Sequence, residues 1–226
     1  MNSTAKRVAR FGLLTALALV LGYLDRAIPV TWFLSGMIPG IKLGLANTVL
    51  LYAVYLLDWR SSVLLMLAKV LLSGFMFGSL SAILYSLSGG VLSLLVMLLV
   101  RRNAKFGALV IGLLTAASDA LLLWKHPSPR GQMLWCIILI GLACLASLAI
   151  SVIIRRRPEY GVLGTSLSGA VAHNIGQILA ASYMLRTPQL MFTYLPVLVG
   201  VGAVVGGLTG IVAQRVFRAL RLEGKL

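Results

Sequence analysis

The chain has 226 residues, of which 60% are hydrophobic and 11% charged, and its mean hydropathy is +1.00. Water-soluble domains carry about 25% charged residues and disordered chains are poor in apolar ones, so this composition excludes both classes. The net charge of +15 sits in short clusters between apolar runs, a distribution that argues against a nucleic-acid partner. Because the apolar runs are long and continuous, a β-barrel is excluded as well. The sequence predicts an all-α polytopic membrane protein in a lipid bilayer.

Helices that cross a bilayer need about 20 mostly apolar residues. Stretches of that kind are separated here by basic clusters, prolines and turn-forming residues, with a weaker break near Gly78-Ser79. The eight predicted spans are residues 10–28, 41–57, 61–78, 80–100, 106–124, 132–154, 161–185 and 190–214. We expect them to form a single integral membrane domain over residues 1–226.

The distribution of cations predicts the orientation, because cytoplasmic segments of membrane proteins are enriched in Lys and Arg. With the N-terminus inside, the inner segments hold fourteen cations, the outer segments hold five, and Lys69 falls within a span. Both termini are therefore predicted to be cytoplasmic, which requires an even number of spans. The first apolar run lacks a small-residue cleavage site after it, so we expect a retained helix rather than a signal peptide.

The stretch from Pro39 to Asn47 is the first candidate for a binding function. Its proline and two glycines predict an irregular start to the second helix, where backbone N–H groups and the charge of Lys42 would meet an anion. The alternative is that Lys42 extends to the outer headgroups and Asn47 bonds to a neighbouring helix.

Lys69 is the second candidate, since it lies near the middle of the third predicted span with no acid within one helical turn. A charged lysine at that depth costs about several kcal/mol unless it has a partner or loses its proton. It needs an interior cavity, an anionic ligand or a partner acid. Snorkelling to the surface requires a position near the end of a span.

His173, Asn174 and Gln177 form the third candidate, in the seventh span. His173 and Gln177 are four residues apart and share a helix face, while Asn174 is rotated by about 100°. Such a group can hydrogen-bond an aromatic or carbonyl-bearing ligand, or it can join helices together. A metal site is not expected, because the other histidine, His126, lies in a predicted loop and no acid or cysteine completes a ligand set.

Glycines predict close helix packing. Gly202, Gly206 and Gly210 recur every four residues and form one smooth ridge on the last span. Gly89-Gly90 either bends the fourth span or permits a contact. Small residues on the first span, including Gly12 and Ala16, suit internal packing or the docking of a partner helix.

Enzyme motifs are missing from the sequence. It has no phosphate-binding G-x-x-x-x-G-K-[ST] loop, no aspartate-rich motif for magnesium diphosphate, and no recognisable nucleophilic triad. We therefore expect neither ATP hydrolysis nor other catalysis by this chain, and no cofactor.

Residues 40–47 (GIKLGLAN) and 169–177 (GAVAHNIGQ) resemble the two signature stretches of the Gx transporter family, also labelled heptaprenyl diphosphate synthase component I. Residues 67–74 resemble it too, although the family more usually has arginine where Lys69 stands. The resemblance covers about residues 10–102 and 160–214. It implies kinship with the S components of energy-coupling-factor transporters, which are six-helix membrane proteins. Residues 103–159 then represent an inserted helix pair on a six-helix core.

The resemblance implies a multi-pass subunit of the bacterial plasma membrane that binds a small anionic or aromatic vitamin-like molecule for uptake. A transmembrane coupling subunit and ATPases are the implied partners. The expected substrate-binding residues are Lys42, Asn47, Lys69, His173, Asn174 and Gln177. Two alternatives remain open at this point: an accessory subunit of isoprenoid or quinone synthesis without catalytic activity, and a part of a membrane flavin or quinone redox assembly.

Overall fold

The computed structural model describes residues 3–27, 44–77, 80–102, 161–187 and 189–222. These residues form six α-helices, which confirms the all-α class. The helices are α1 (Ser3–Ala27), α2 (Asn47–Leu56), α3 (Trp59–Phe77), α4 (Leu80–Arg102), α5 (Gly161–Met184) and α6 (Gln189–Leu222). The predicted spans 106–124 and 132–154 lie outside the described residues, and so does Lys42.

Four of these helices have the length and composition to cross a membrane: α1, α3, α4 and α6. Their candidate spans are Ala5–Asp25, Trp59–Met76, Leu80–Arg102 and Val197–Ala219. Helix α3 is described to Phe77 and α4 from Leu80, and the predicted break at Gly78-Ser79 lies outside the described residues. Four apolar helices of this kind make the chain a membrane protein.

The second predicted span is wrong at its beginning, because the helix starts at Asn47 rather than at residue 41. Gly44 has a positive φ of 86°, which an α-helix does not accommodate. The ten residues of α2 extend only about 15 Å at 1.5 Å per residue, half of a hydrocarbon core. Instead of spanning alone, α2 is enclosed by its neighbours, with Leu50 and Leu51 fully buried.

Helix α5 lies between α4 and α6 and is the most enclosed of the described helices, with every residue from Val171 to Ile178 buried. The glycine ridge predicted on the last span is confirmed. A Cβ added at Gly202, Gly206 or Gly210 would collide with atoms of α5, so these glycines permit the close approach of the two helices.

The α4–α5 contact depends on two glycines in the same way. A Cβ at Gly176 would lie 2.7 Å from the Ser88 carbonyl oxygen, and one at Gly89 would lie 2.7 Å from the His173 carbonyl oxygen. The Ser88 hydroxyl donates to the Gly176 carbonyl at 2.9 Å. Of the two interpretations of Gly89-Gly90, the contact is therefore the one that the structure shows at Gly89.

The described cations of the predicted cytoplasmic segments cluster at one end of the bundle. Arg101, at the end of α4, donates to the Val54 carbonyl near the end of α2 and lies 5.2 Å from the centre of the Tyr55 ring. The Tyr55 ring packs 5.3 Å from that of Phe217, which Arg215 and Arg218 flank in α6. A cation at the last carbonyls of α2 complements the negative end of its dipole.

Candidate functional site

Buried polar side chains converge in the half of the bundle away from this basic end. A cavity of about 20 Å³ lies there, and its polar wall consists of Asp25 from α1, Lys69 and Ser73 from α3, Ser86 from α4 and His173 from α5. The backbone at Gly44 and Ala46, just before α2, completes the wall. Such a volume holds about one water molecule. The site is therefore a small, largely buried hollow with polar groups in its wall, inside an apolar bundle.

Lys69 is buried, with 8% of its surface exposed, and its Nζ donates a hydrogen bond of 3.0 Å to Oδ1 of Asn47. Asn47 is 2% exposed and is the first residue of α2. Snorkelling of Lys69 to the membrane surface is excluded by this burial. The predicted interior cavity for Lys69 is present.

Asp25 is the site residue that the sequence analysis missed. Its Oδ1 accepts a hydrogen bond of 3.0 Å from the backbone N–H of Leu45, and its Oδ2 accepts one of 3.2 Å from that of Ala46. The sequence predicted that N–H groups of this stretch would meet an anion, and the anion is a carboxylate of the chain itself. The signal was available, because Asp25 is an acid inside the predicted span 10–28, where acids are rare.

His173 is 4% exposed and is packed between two glycines. A Cβ at Gly44 would lie 3.2 Å from its Cδ2, and a Cβ at Gly89 would lie 2.7 Å from its Nδ1. Gln177, one turn further along α5, is fully buried, and its Cγ would lie 2.9 Å from the same Cβ at Gly89. The two residues share a helix face, as their spacing predicted, and that face is turned to α4.

Asn174 faces α6, as its predicted rotation of about 100° from His173 allows, and its role in binding stays a prediction. Its Nδ2 donates a hydrogen bond of 2.6 Å to the Leu198 carbonyl in α6 and lies against Gly202. The rotation of about 100° between consecutive helical residues turns it away from the cavity. Asn174 thus makes the inter-helix hydrogen bond that the sequence analysis gave as the alternative to ligand binding.

The structure thus brings Lys69, Asn47 and His173 to one place, with Gln177 beside His173, and adds Asp25. Lys42 lies outside the described residues. Within residues 3–27, 44–77, 80–102, 161–187 and 189–222, no group of three His, Cys, Asp or Glu side chains is placed to hold a metal ion.

Comparison of the sequence with protein-family models identifies the family of the chain. The model of the family described as heptaprenyl diphosphate synthase component I matches residues 14–122 and 128–216. The chain belongs to this family. The matched segments contain all the residues of the cavity wall. They also contain most of residues 103–159, and the interpretation of those residues as an insertion stays a prediction. No curated protein and no solved structure matches the chain.

Proposed function

We propose that this member of the heptaprenyl diphosphate synthase component I family is a substrate-binding membrane subunit for the uptake of a small anionic or aromatic vitamin-like molecule. The observation that supports this proposal is the convergence of Asp25, Lys69 and His173, from three helices, on one buried hollow, where Lys69 is bonded to Asn47 of α2. Charged groups inside a membrane are costly, and helix packing alone needs neither an ammonium nor a carboxylate there.

The size of the hollow indicates which state the structure represents. Sites for organic ligands usually enclose about 300–1,000 Å³, whereas this cavity measures about 20 Å³. The cavity is therefore too small for such a ligand as it stands. Binding requires the wall to move, and the short helix α2 is the element we expect to shift. Its first residue is bonded to Lys69, and the two residues before it are bonded to Asp25.

Small molecules retained through purification test this proposal. The full chain is purified in lipid nanodiscs, and extracted small molecules are identified by mass spectrometry. We expect a polar molecule that is retained by the wild type and lost from Lys69→Met. Lys6→Met is the matched control, since Lys6 is an exposed lysine near the start of α1. Equal retention in wild type and Lys69→Met would contradict the proposal.

Uptake requires an energy source, and we propose a separate transmembrane coupling subunit with ATPases, in the bacterial plasma membrane. The sequence contains no phosphate-binding loop of its own. Accumulation of the identified molecule in vesicles should depend on ATP and on those partner subunits. If the chain alone accumulates the molecule in vesicles, the proposed coupling subunit and ATPases are not required.

The family description supports a second candidate, in which the chain is a non-catalytic accessory subunit of isoprenoid or quinone synthesis. That function predicts co-purification with a soluble prenyl transferase and no accumulation of ligand in vesicles. In both cases we expect no prenyl transfer by this chain, because its sequence lacks an aspartate-rich magnesium motif. Prenyl transfer by the purified chain would contradict that expectation.

A further inference from the structure

The first turn of α2 has the chemistry of an oxyanion site. The N–H groups of Leu45 and Ala46 both donate to one carboxylate, at the positive end of the dipole of a ten-residue helix. The ammonium of Lys69 lies in the wall of the same cavity and is bonded to the first residue of that helix. Two backbone donors and a cation are the groups that recognise carboxylate and phosphate.

A second observation shows a donor left over at this turn. Among the described residues, Nδ2 of Asn47 is buried and makes no hydrogen bond. It lies 3.5 Å from the position of a Cβ on Gly44, where the His173 ring is also in contact. A buried amide N–H₂ that lacks an acceptor loses the hydrogen bonds it made in water, at a cost in stability. The turn therefore holds one buried N–H₂ donor for which Asp25 supplies no acceptor.

We propose that the Asp25 carboxylate is an internal substitute for an oxyanion group of the transported molecule. This assignment of substrate class rests on the proposed function. A carboxylate or phosphate on the ligand replaces Asp25 at the N–H groups of Leu45 and Ala46, remains near Lys69, and accepts the additional hydrogen bond from Asn47. Before the exchange, Asp25 satisfies both N–H groups and neutralises this turn; after it, the displaced carboxylate must be solvated by water.

Withdrawal of Asp25 also provides space. Its side chain forms part of the cavity wall, and the neighbouring wall at Ala18 and Gly22 is built from small residues of the same helix. At the other end of α2, Arg101 binds the Val54 carbonyl and fixes the helix. The exchange therefore occurs at one end of α2 while the other end is held.

Competition between Asp25 and added anions tests this inference. The full chain is titrated with acetate in one series and inorganic phosphate in the other, and anion binding is measured from the rise in unfolding temperature. Asp25→Asn should bind at least one of the anions about tenfold more tightly than the wild type, because the internal competitor has lost its charge. Lys69→Gln should abolish saturable binding. The anion with the larger gain identifies the ligand group as carboxylate or phosphate.

Asp58→Asn is the matched control. The Asp58 carboxylate also accepts a hydrogen bond from one backbone N–H near the start of a helix, that of Ser61. Asp58 is exposed and does not line the cavity, and its neutralisation makes the same change in net charge. Unaltered affinity in Asp25→Asn, an equal gain in Asp58→Asn, or saturable binding by Lys69→Gln would each overturn the inference.

If Asp25→Asn does not fold, recovery of a monodisperse protein in acetate or phosphate, and not in an equal concentration of chloride, supports the inference. Failure of both oxyanions to recover it counts against the inference. These results are independent of uptake. An anion site without a retained organic molecule contradicts only the proposed function, whereas a retained molecule that carries no oxyanion contradicts only this inference.

Discussion

Nζ of Lys69, in the middle of α3, donates a hydrogen bond of 3.0 Å to Oδ1 of Asn47, the first residue of α2. The bond joins a mid-membrane cation to the one described helix that is too short to cross a bilayer. Since Asp25 holds the residues just before Asn47, the position of α2 depends on charged groups from both α1 and α3.

Removal of either partner of this bond should destabilise the bundle. Asn47→Leu should lower the free energy of unfolding by about 1–3 kcal/mol, because the buried ammonium loses the hydrogen bond to Oδ1 of Asn47. The double variant Asn47→Leu with Lys69→Met should recover part of that loss, since neither polar group remains. Thermal unfolding in lipid nanodiscs measures the stability of the two single variants and the double variant. If the effects of the two substitutions simply add, the hydrogen bond contributes nothing to stability.

Gly44→Ala should destabilise the protein by about 1–2 kcal/mol, the usual cost of a left-handed backbone for a residue with a Cβ. The φ of 86° disfavours any side chain, and the new Cβ would lie 3.2 Å from Cδ2 of His173. The matched control is Gly12→Ala in α1, where nothing lies within 4 Å of the added atom. That substitution should be neutral or stabilise by about 0.5–1 kcal/mol. Equal unfolding temperatures for the two variants would contradict the expected difference.

Asn174→Ala should separate stability from binding. Its bond to the Leu198 carbonyl joins α5 to α6 outside the cavity, and inter-helix hydrogen bonds in membranes contribute about 0.6 kcal/mol on average. We expect a small decrease in unfolding temperature and full retention of the bound molecule. Loss of that molecule from Asn174→Ala would return this residue to the binding site.

Asp58 predicts a pH dependence at the basic end of the bundle. The hydrogen bond donated by the Ser61 hydroxyl at 2.8 Å is the main cause that lowers the pKa of Asp58 from its ordinary value of 3.8. Because the pKa is lower in the folded state, the contribution to stability is complete above the unfolded pKa and is lost as the pH falls through the folded one. Ser61→Ala should raise the pKa toward 3.8, as measured by carbon NMR of labelled aspartate. An unchanged pKa would remove Ser61 as its cause.

The long helices could be predicted from the sequence because hydropathy and length alone specify them. The predicted start of α4 was correct to the residue, and the spacing of Gly202, Gly206 and Gly210 correctly indicated a close helix contact on the last span. The proline and glycines of residues 39–47 predicted an irregular start to α2, but hydropathy did not give its first residue, and the predicted span began at residue 41. The beginning of this helix depends on one backbone angle and on a carboxylate from α1.

The sequence predicted which types of residue form the site, but not which of them lie together in the structure. The mid-span position of Lys69 implied a cavity, an anionic ligand or an acid, but local spacing along a helix reveals only acids within about one turn. Asp25 is 44 positions away in the chain and reaches the same cavity through the packing of α1 on α3. The rotation of Asn174 away from His173 was predictable from helix geometry, but its hydrogen-bond partner, the Leu198 carbonyl of α6, was not.

The most direct test of the central claim is the affinity of the purified chain for the molecule it retains, measured by titration calorimetry. Lys69→Met and His173→Ala should each weaken binding by about tenfold or more, as expected when a buried polar contact with the ligand is lost. Lys6→Met should leave the affinity unchanged. Wild-type affinity in both Lys69→Met and His173→Ala would show that the buried polar hollow is not a binding site.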